Sequence, residues 1–278
     1  MLVEVVYLPP IATDITSKLC VVIDVLRATS TLVSMLDAGA RTVVLSESIA
    51  SALAYERSRE NHPLLCGESG GLPPEGFDLG NSPREYRPDN VMGRDLVFVT
   101  SNGTRAMWQL VGAPVVLAGS LLNASSVARS ALEEASQRSL DIALVCSGDF
   151  LGTRFAIDDA FCAGYLVTLI RKIARELLAD NRQSCQSPHH HGATHNLLLD
   201  ESAIAAARLY HSYLLEAGIL DLESAPPREV ILKAFWESHN AQVLRGVGLA
   251  EDVEYCAQLD ISRRVPRLQL EQQRLKLV

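Results

Sequence analysis

The strongest constraint on this chain is a series of short, unbroken Val/Ile/Leu runs, each followed by an amphipathic stretch. LCVVIDV (19–25), TVVL (42–45), LLC (64–66), LVFVT (96–100), PVVLA (114–118) and IALVC (142–146) lack the alternation of a strand with one wet face. Strands buried on both faces need such continuity, and they occur in parallel sheets covered by helices. Helical stretches follow at about 29–39, 47–59, 104–111, 123–137 with Asn123 as the cap, and 155–180. The predicted fold is α/β. It has a mostly parallel or mixed sheet with helices on both faces, a three-layer α/β/α arrangement. The last third changes character and reads as helical at 201–217 and 227–244, then ends in mixed polar and apolar sequence. The 278 residues suffice for a single domain over 1–278, with a division into two α/β subdomains at about 1–120 and 121–278 as the alternative.

Charge narrows the partners. Asp and Glu number 33 against 25 Lys and Arg, a net charge of −8. Such a chain has no general attraction for nucleic acid or an anionic membrane, so neither is expected as a partner. No apolar run reaches the length of a membrane span. The opening MLVEVVYLPP lacks the basic and long apolar regions of a signal peptide. The six cysteines form no CxxC pair, and a reducing, cytoplasmic setting is expected. Size alone suggests a homodimer. The stretch NRQSCQSPHHHGATHN (181–196) reads as a solvated loop rather than a metal site, because consecutive His side chains cannot all face one ion.

Several loops carry chemistry-bearing residues. Asp24 interrupts an apolar strand near its carboxyl end, where open α/β sheets bind ligands, and a buried charge there needs a metal or hydrogen bonds. Arg27, Thr29, Ser30 and Thr31 follow at a helix start that suits an anion. The segment 67–88 is too rich in Gly and Pro for a regular element. It carries Glu68 and Asp78, then Asn81 and Ser82, and carboxylate-rich loops suit Mg²⁺. Asn102, Gly103, Thr104 and Arg105 form another anion-ready turn. So do Ser147, Gly148 and Arg154, followed by the adjacent acids Asp158 and Asp159. GxxxxGK[ST], GxGxxG and HExxH are all missing, as is a second acid two residues after Asp24. The turns alone also fit a phosphotransferase or a non-catalytic anion-binding module.

Taken in order, VIDVLRATST (22–31), GE (67–68), GFDLGNSP (76–83), TSNGTRA (100–106), CSG (146–148), DDAFCAG (158–164) and EDVEYCAQLD (251–260) resemble the 2-phosphosulfolactate phosphatase family. The resemblance spans most of the chain. It implies an α/β enzyme that uses Mg²⁺ to hydrolyse 2-phosphosulfolactate to sulfolactate and phosphate, a step associated with coenzyme M biosynthesis. On this reading the partner is a small anionic phosphate ester. Asp24, Glu68 and Asp78 are the leading metal ligands, with Asp158 and Asp159 next. Thr29, Ser30, Thr31, Asn102, Gly103 and Thr104 hold phosphate, helped by Asn81, Ser82, Ser147 and Gly148. Arg27, Arg105 and Arg154 meet the remaining anionic groups. The family more often has Glu-Asp where this chain has Asp158-Asp159, and both types bind Mg²⁺.

Overall fold

A computed structural model describes residues 1–9, 14–184, 197–271 and 274–277. The His-rich stretch falls almost wholly at 185–196 and so lies outside the described residues. The apolar runs become β2 (Lys18–Ile23), β3 (Thr42–Leu45), β4 (Leu64–Gly67), β5 (Asp95–Val99), β6 (Val115–Gly119) and β7 (Asp141–Cys146). To these the fold adds β1 (Leu2–Val6), a short β8 (Leu198–Leu199), β9 (Leu268–Glu271) and β10 (Arg274–Leu277).

The strands make two five-stranded sheets. The first, ordered β6-β2-β7-β1-β8, is parallel at every pairing. The second is ordered β4-β5-β3-β10-β9, parallel through β4, β5 and β3 and antiparallel where the C-terminal strands join. The expected α/β class with mostly parallel strands holds. Strands β2 and β7 lie on either side of residue 120 in the chain, and they pair from Lys18 opposite Asp141 to Ile23 opposite Cys146.

The helices are α1 (Ala28–Asp37), α2 (Ile49–Arg57), a short α3 (Pro88–Val91), α4 (Gly103–Trp108), α5 (Ala124–Arg138) and α6 (Ile157–Ser184). The C-terminal third adds α7 (Glu201–Glu216), α8 (Arg228–Trp236), α9 (His239–Gly246) and α10 (Ala250–Cys256). Strand alternation assigns the layers. Leu19, Val21 and Ile23 join a core with α5, α6, α7 and α8, whereas Cys20 and Val22 face α1 and α4. The other side of α1 and α4 meets Val43, Leu45, Leu96 and Phe98 of the second sheet. Helix α2 covers that sheet's far face over Leu65, Val97 and Val99. Helices therefore cover both faces of each sheet, and α1 and α4 are shared between them. Gly164 lets α6 approach α7 closely, since a Cβ there would sit 2.2 Å from the Ala206 carbonyl oxygen.

The helix expected over 227–244 is broken in two. Ser238 takes an extended conformation and its side chain accepts the Ala241 N–H, which starts α9 afresh. That break turns the beginning of α9 toward the strand ends.

Candidate active site

The carboxyl ends of β2, β4, β5 and β7 open onto one cleft of about 230 Å³. Asp24 and Arg27 enter it from the turn after β2, Glu68 from β4, and Ser101 and Asn102 from β5. Asp149, Phe150 and Leu151 come from the turn after β7, and His239 and Asn240 from the start of α9. Ligands collect at such strand ends because the sheets present loops and helix starts there.

Asp24 is 6% exposed, and its Oδ1 accepts the Ala28 N–H at 3.2 Å. Burial pushes its carboxyl up to about 6. Glu68 adds to the rise, while the Ala28 N–H, Ser147 and Arg27 oppose it. The close approach of α4 depends on Gly103: a Cβ there would lie 2.4 Å from the Ala28 Cβ and 2.6 Å from Asp24 Oδ2. Glu68 is held by two backbone donors, Ser101 N–H at 2.7 Å and Gly71 N–H at 2.9 Å.

Behind Asp24 stand two fully buried acids at the start of α6. Asp159 accepts the Val25 N–H at 2.9 Å, the Ser147 hydroxyl at 3.2 Å and the Gly148 N–H at 3.3 Å. Burial, then the charges of Asp158 and Asp24, hold its carboxyl well above the usual range. Burial likewise pushes Asp158 up to about 7, against the Asn240 amide that donates to its Oδ2 at 3.2 Å. Among the described residues, Asp158 Oδ1 and Asn81 Oδ1 are buried without a partner.

A profile of the family described as "2-phosphosulpholactate phosphatase" matches residues 9–271. The chain belongs to the 2-phosphosulpholactate phosphatase family. Its relatives include proteins named probable 2-phosphosulfolactate phosphatase. One from Carboxydothermus hydrogenoformans is 32% identical over 99% of this chain and 96% of its own length. One from Thermotoga petrophila is 33% identical over 96% and 95%. One from Deinococcus radiodurans is 37% identical over 89% and 86%. The expectation of a phosphoric monoester hydrolase stands on that membership.

Within this phosphatase-family cleft, the residues singled out from sequence separate into those that line it and those that build it. Asp24, Arg27, Glu68, Asn81 and Asn102 line it. The hydroxyls expected to hold phosphate do not. Thr29 donates to the Asp24 carbonyl at 2.9 Å, Ser30 to Val25 at 2.9 Å, Thr31 to Asn81 at 2.8 Å and Thr104 to Thr100 at 2.9 Å. A hydroxyl has one proton, and here it is engaged by the backbone. Ser147 is engaged in the same way by Asp159, and Ser82 by Asp252 at 2.6 Å. Gly103 and Gly148 serve close backbone approach: at Gly148 a Cβ would sit 2.8 Å from the Arg154 carbonyl oxygen.

The arginines and acids are also redistributed. Arg27 is 3% exposed. Its Nη1 pairs with Asp252 Oδ2 at 2.5 Å and its Nη2 donates to the Gly71 carbonyl at 2.8 Å, so its charge is already matched. Arg105 and Arg154 are exposed and lie outside the cleft lining, the latter 4.2 Å over the Phe150 ring. Asp78 is exposed and accepts the Leu65 N–H at 2.8 Å at the edge of the second sheet, away from the other acids. Among the described residues, no three His, Cys, Asp or Glu side chains form a group able to hold a metal. Asp24 and Glu68 on one cleft, which Asn81 also lines, do fit an ion that keeps most of its water, as Mg²⁺ does.

Asp252, His239 and Asn240 complete the surroundings and carry no sequence-based expectation, and Asp149 lies in the anion-ready turn at 146–154 without a role of its own. Asp252 lies in the EDVEYCAQLD stretch, which carried a resemblance but no role. His239 and Asn240 gave no signal, because a continuous helix was expected across them.

Proposed function

We propose that this chain hydrolyses 2-phosphosulfolactate to sulfolactate and phosphate with Mg²⁺ held by Asp24 and Glu68. The observation that carries this reading is the charge balance of the cleft. Three carboxylates line it, Asp24, Glu68 and Asp149, two more lie buried behind Asp24, and Arg27, the one arginine among the described residues that line it, is matched by Asp252. An anionic phosphate ester cannot approach such a surface without a cation. Mg²⁺ polarises phosphoryl oxygens and offsets charge developing in the transition state. Asn81, whose amide oxygen has no partner among the described residues, contributes that oxygen to the ion. Glu68 keeps its orientation through the Ser101 and Gly71 N–H groups, and each of its oxygens retains a lone pair for the ion or its water. Asn102 is fixed by its Oδ1 accepting the Leu151 N–H at 2.8 Å, which leaves its NH₂ group to meet substrate oxygens. The names of the relatives support the choice of substrate.

The test is phosphate release from 2-phosphosulfolactate with Mg²⁺ and with EDTA. Release is expected only with Mg²⁺. Asp24→Asn should cost roughly a hundredfold or more while the protein stays folded. Full turnover in EDTA would remove the metal from this reading, and no turnover with Mg²⁺ would remove the substrate.

A further inference from the structure

The turn after β7 builds a rigid platform at the rim of the cleft. Phe150 and Leu151 have φ values of +48° and +60°. Bulky residues rarely adopt that conformation, and it persists where the surroundings over-determine it. Here the Asp149 N–H donates to the Arg154 carbonyl at 2.8 Å, and the Thr153 and Arg154 N–H groups both donate to the Asp149 carbonyl at 3.0 Å. The Phe150 N–H donates to Asp149 Oδ1 at 2.7 Å and the Leu151 N–H to Asn102 Oδ1 at 2.8 Å. On this platform Asp149 Oδ2 meets His239 Nδ1 at 2.8 Å. The Phe150 ring lies 5.0 Å from the imidazole, tilted by 33°. Nδ1–H is therefore committed to the carboxylate, and Nε2 is the nitrogen left for chemistry. Asp149, Phe150 and His239 all line the cleft that holds Asp24 and Glu68.

An alkyl phosphate ester expels an alkoxide, which leaves slowly unless a proton arrives as the bond breaks. Arg27 cannot give one up at ordinary pH and is bound to Asp252. Building on the function proposed above, we infer that His239 is the general acid of this phosphatase, donating through Nε2 to the departing alcohol oxygen, with Asp149 as its positioning residue. The P–O ester bond breaks with its electron pair going to the alcohol oxygen, which takes the Nε2 proton and leaves as the alcohol. The oxygen of a water forms the new P–O bond. Both its hydrogens stay with the phosphate, which departs as H₂PO₄⁻, and a proton from solvent restores Nε2.

The experiment compares wild type, His239→Gln and Asp149→Asn on 2-phosphosulfolactate and on p-nitrophenyl phosphate, whose phenolate leaves without a proton. Imidazole rescue of His239→Gly is measured alongside. For the alkyl ester, kcat should fall about 10²–10⁴-fold in His239→Gln and by less in Asp149→Asn, with p-nitrophenyl phosphate turnover nearly kept. Added imidazole should restore part of the alkyl-ester rate in His239→Gly, and this arm decides the matter if wild type ignores the aryl ester. Unchanged kcat in His239→Gln, or an equal loss on both esters without rescue, would overturn the assignment while leaving the substrate reading intact. A wild-type enzyme that releases no phosphate from 2-phosphosulfolactate would overturn both.

Discussion

Replacing Asp252 by Ala should damage the fold more than any other single change near the cleft. Asp252 is 0% exposed and Arg27 3%. One carboxylate oxygen pairs with Arg27 Nη1 at 2.5 Å and the other accepts the Ser82 hydroxyl at 2.6 Å. Asp252→Ala leaves a guanidinium and a hydroxyl buried without these partners. Removing one member of a buried ion pair costs about 3–5 kcal/mol. The lost Ser82 bond adds about 1–3 kcal/mol. Because both groups share one carboxylate, the two figures overlap and do not sum. A net loss of about 4 kcal/mol is expected, a large part of the ~5–15 kcal/mol that domains possess. At about 2–4 °C per kcal/mol, the melting temperature should fall by roughly 10 °C. Urea unfolding followed by circular dichroism measures the first quantity and a thermal scan the second. Arg27→Met combined with Asp252→Leu removes both charges and should recover most of the stability, since well-packed apolar residues replace buried ion pairs at little cost. A loss below about 1 kcal/mol in Asp252→Ala, or a double variant no better than the single, would refute the claim that an uncompensated Arg27 charge is the cause.

Gly103→Ala should disturb Asp24 directly, because its Cβ would lie 2.6 Å from Asp24 Oδ2 and 2.4 Å from the Ala28 Cβ. A stability loss of about 1–3 kcal/mol is expected from overpacking, together with a clear fall in kcat. Wild-type kcat in the folded variant would mean that α4 can retreat without moving Asp24. Asp158→Asn tests the buried acids through pH. Burial raises this carboxyl in the folded protein to about 7, whereas the unfolded chain has the ordinary value near 3.8. An acid raised on folding stabilises the protein below its unfolded value, and that contribution is lost as pH climbs through the folded value. In EDTA, Asp158→Asn should therefore melt above wild type at pH 8, with the gap shrinking at pH 5. An equal gap at both pH values would show that Asp158 does not carry this titration.

Much of the architecture was legible in the sequence because it follows from local patterns. Continuous apolar runs demand burial on both faces, and β2 through β7 form where those runs lie. Of the strands missed, β1 and the β9–β10 pair have charged or polar residues between their apolar ones, as in LVEVV and LQLE, and such alternation is weak over four or five residues, while β8 is only two residues long. That the strands divide into two sheets, with α1 and α4 shared between them, is a matter of long-range pairing that no local pattern encodes.

The site divides along the same line. The sequence by itself determined that Asp24, Glu68 and Asn102 would stand at strand ends, because a polar residue closing an apolar run must sit where the strand emerges. It could not determine where hydroxyl protons and charges are engaged. Thr29, Ser30, Thr31 and Thr104 have the composition of an anion cradle, yet Thr29, Ser30 and Thr104 donate to carbonyls of their own βα turns, where a buried hydroxyl has its backbone within reach, and Thr31 donates to the Asn81 carbonyl of a distant segment. Arg27 was read as a substrate contact, and only the packing of α10 against its turn brings Asp252 to it. His239 and Asn240 reach the cleft because Ser238 breaks a helix more than a hundred residues downstream of β5. A short-range pattern reports what one segment requires of its surroundings; only the folded chain decides which distant segment supplies it.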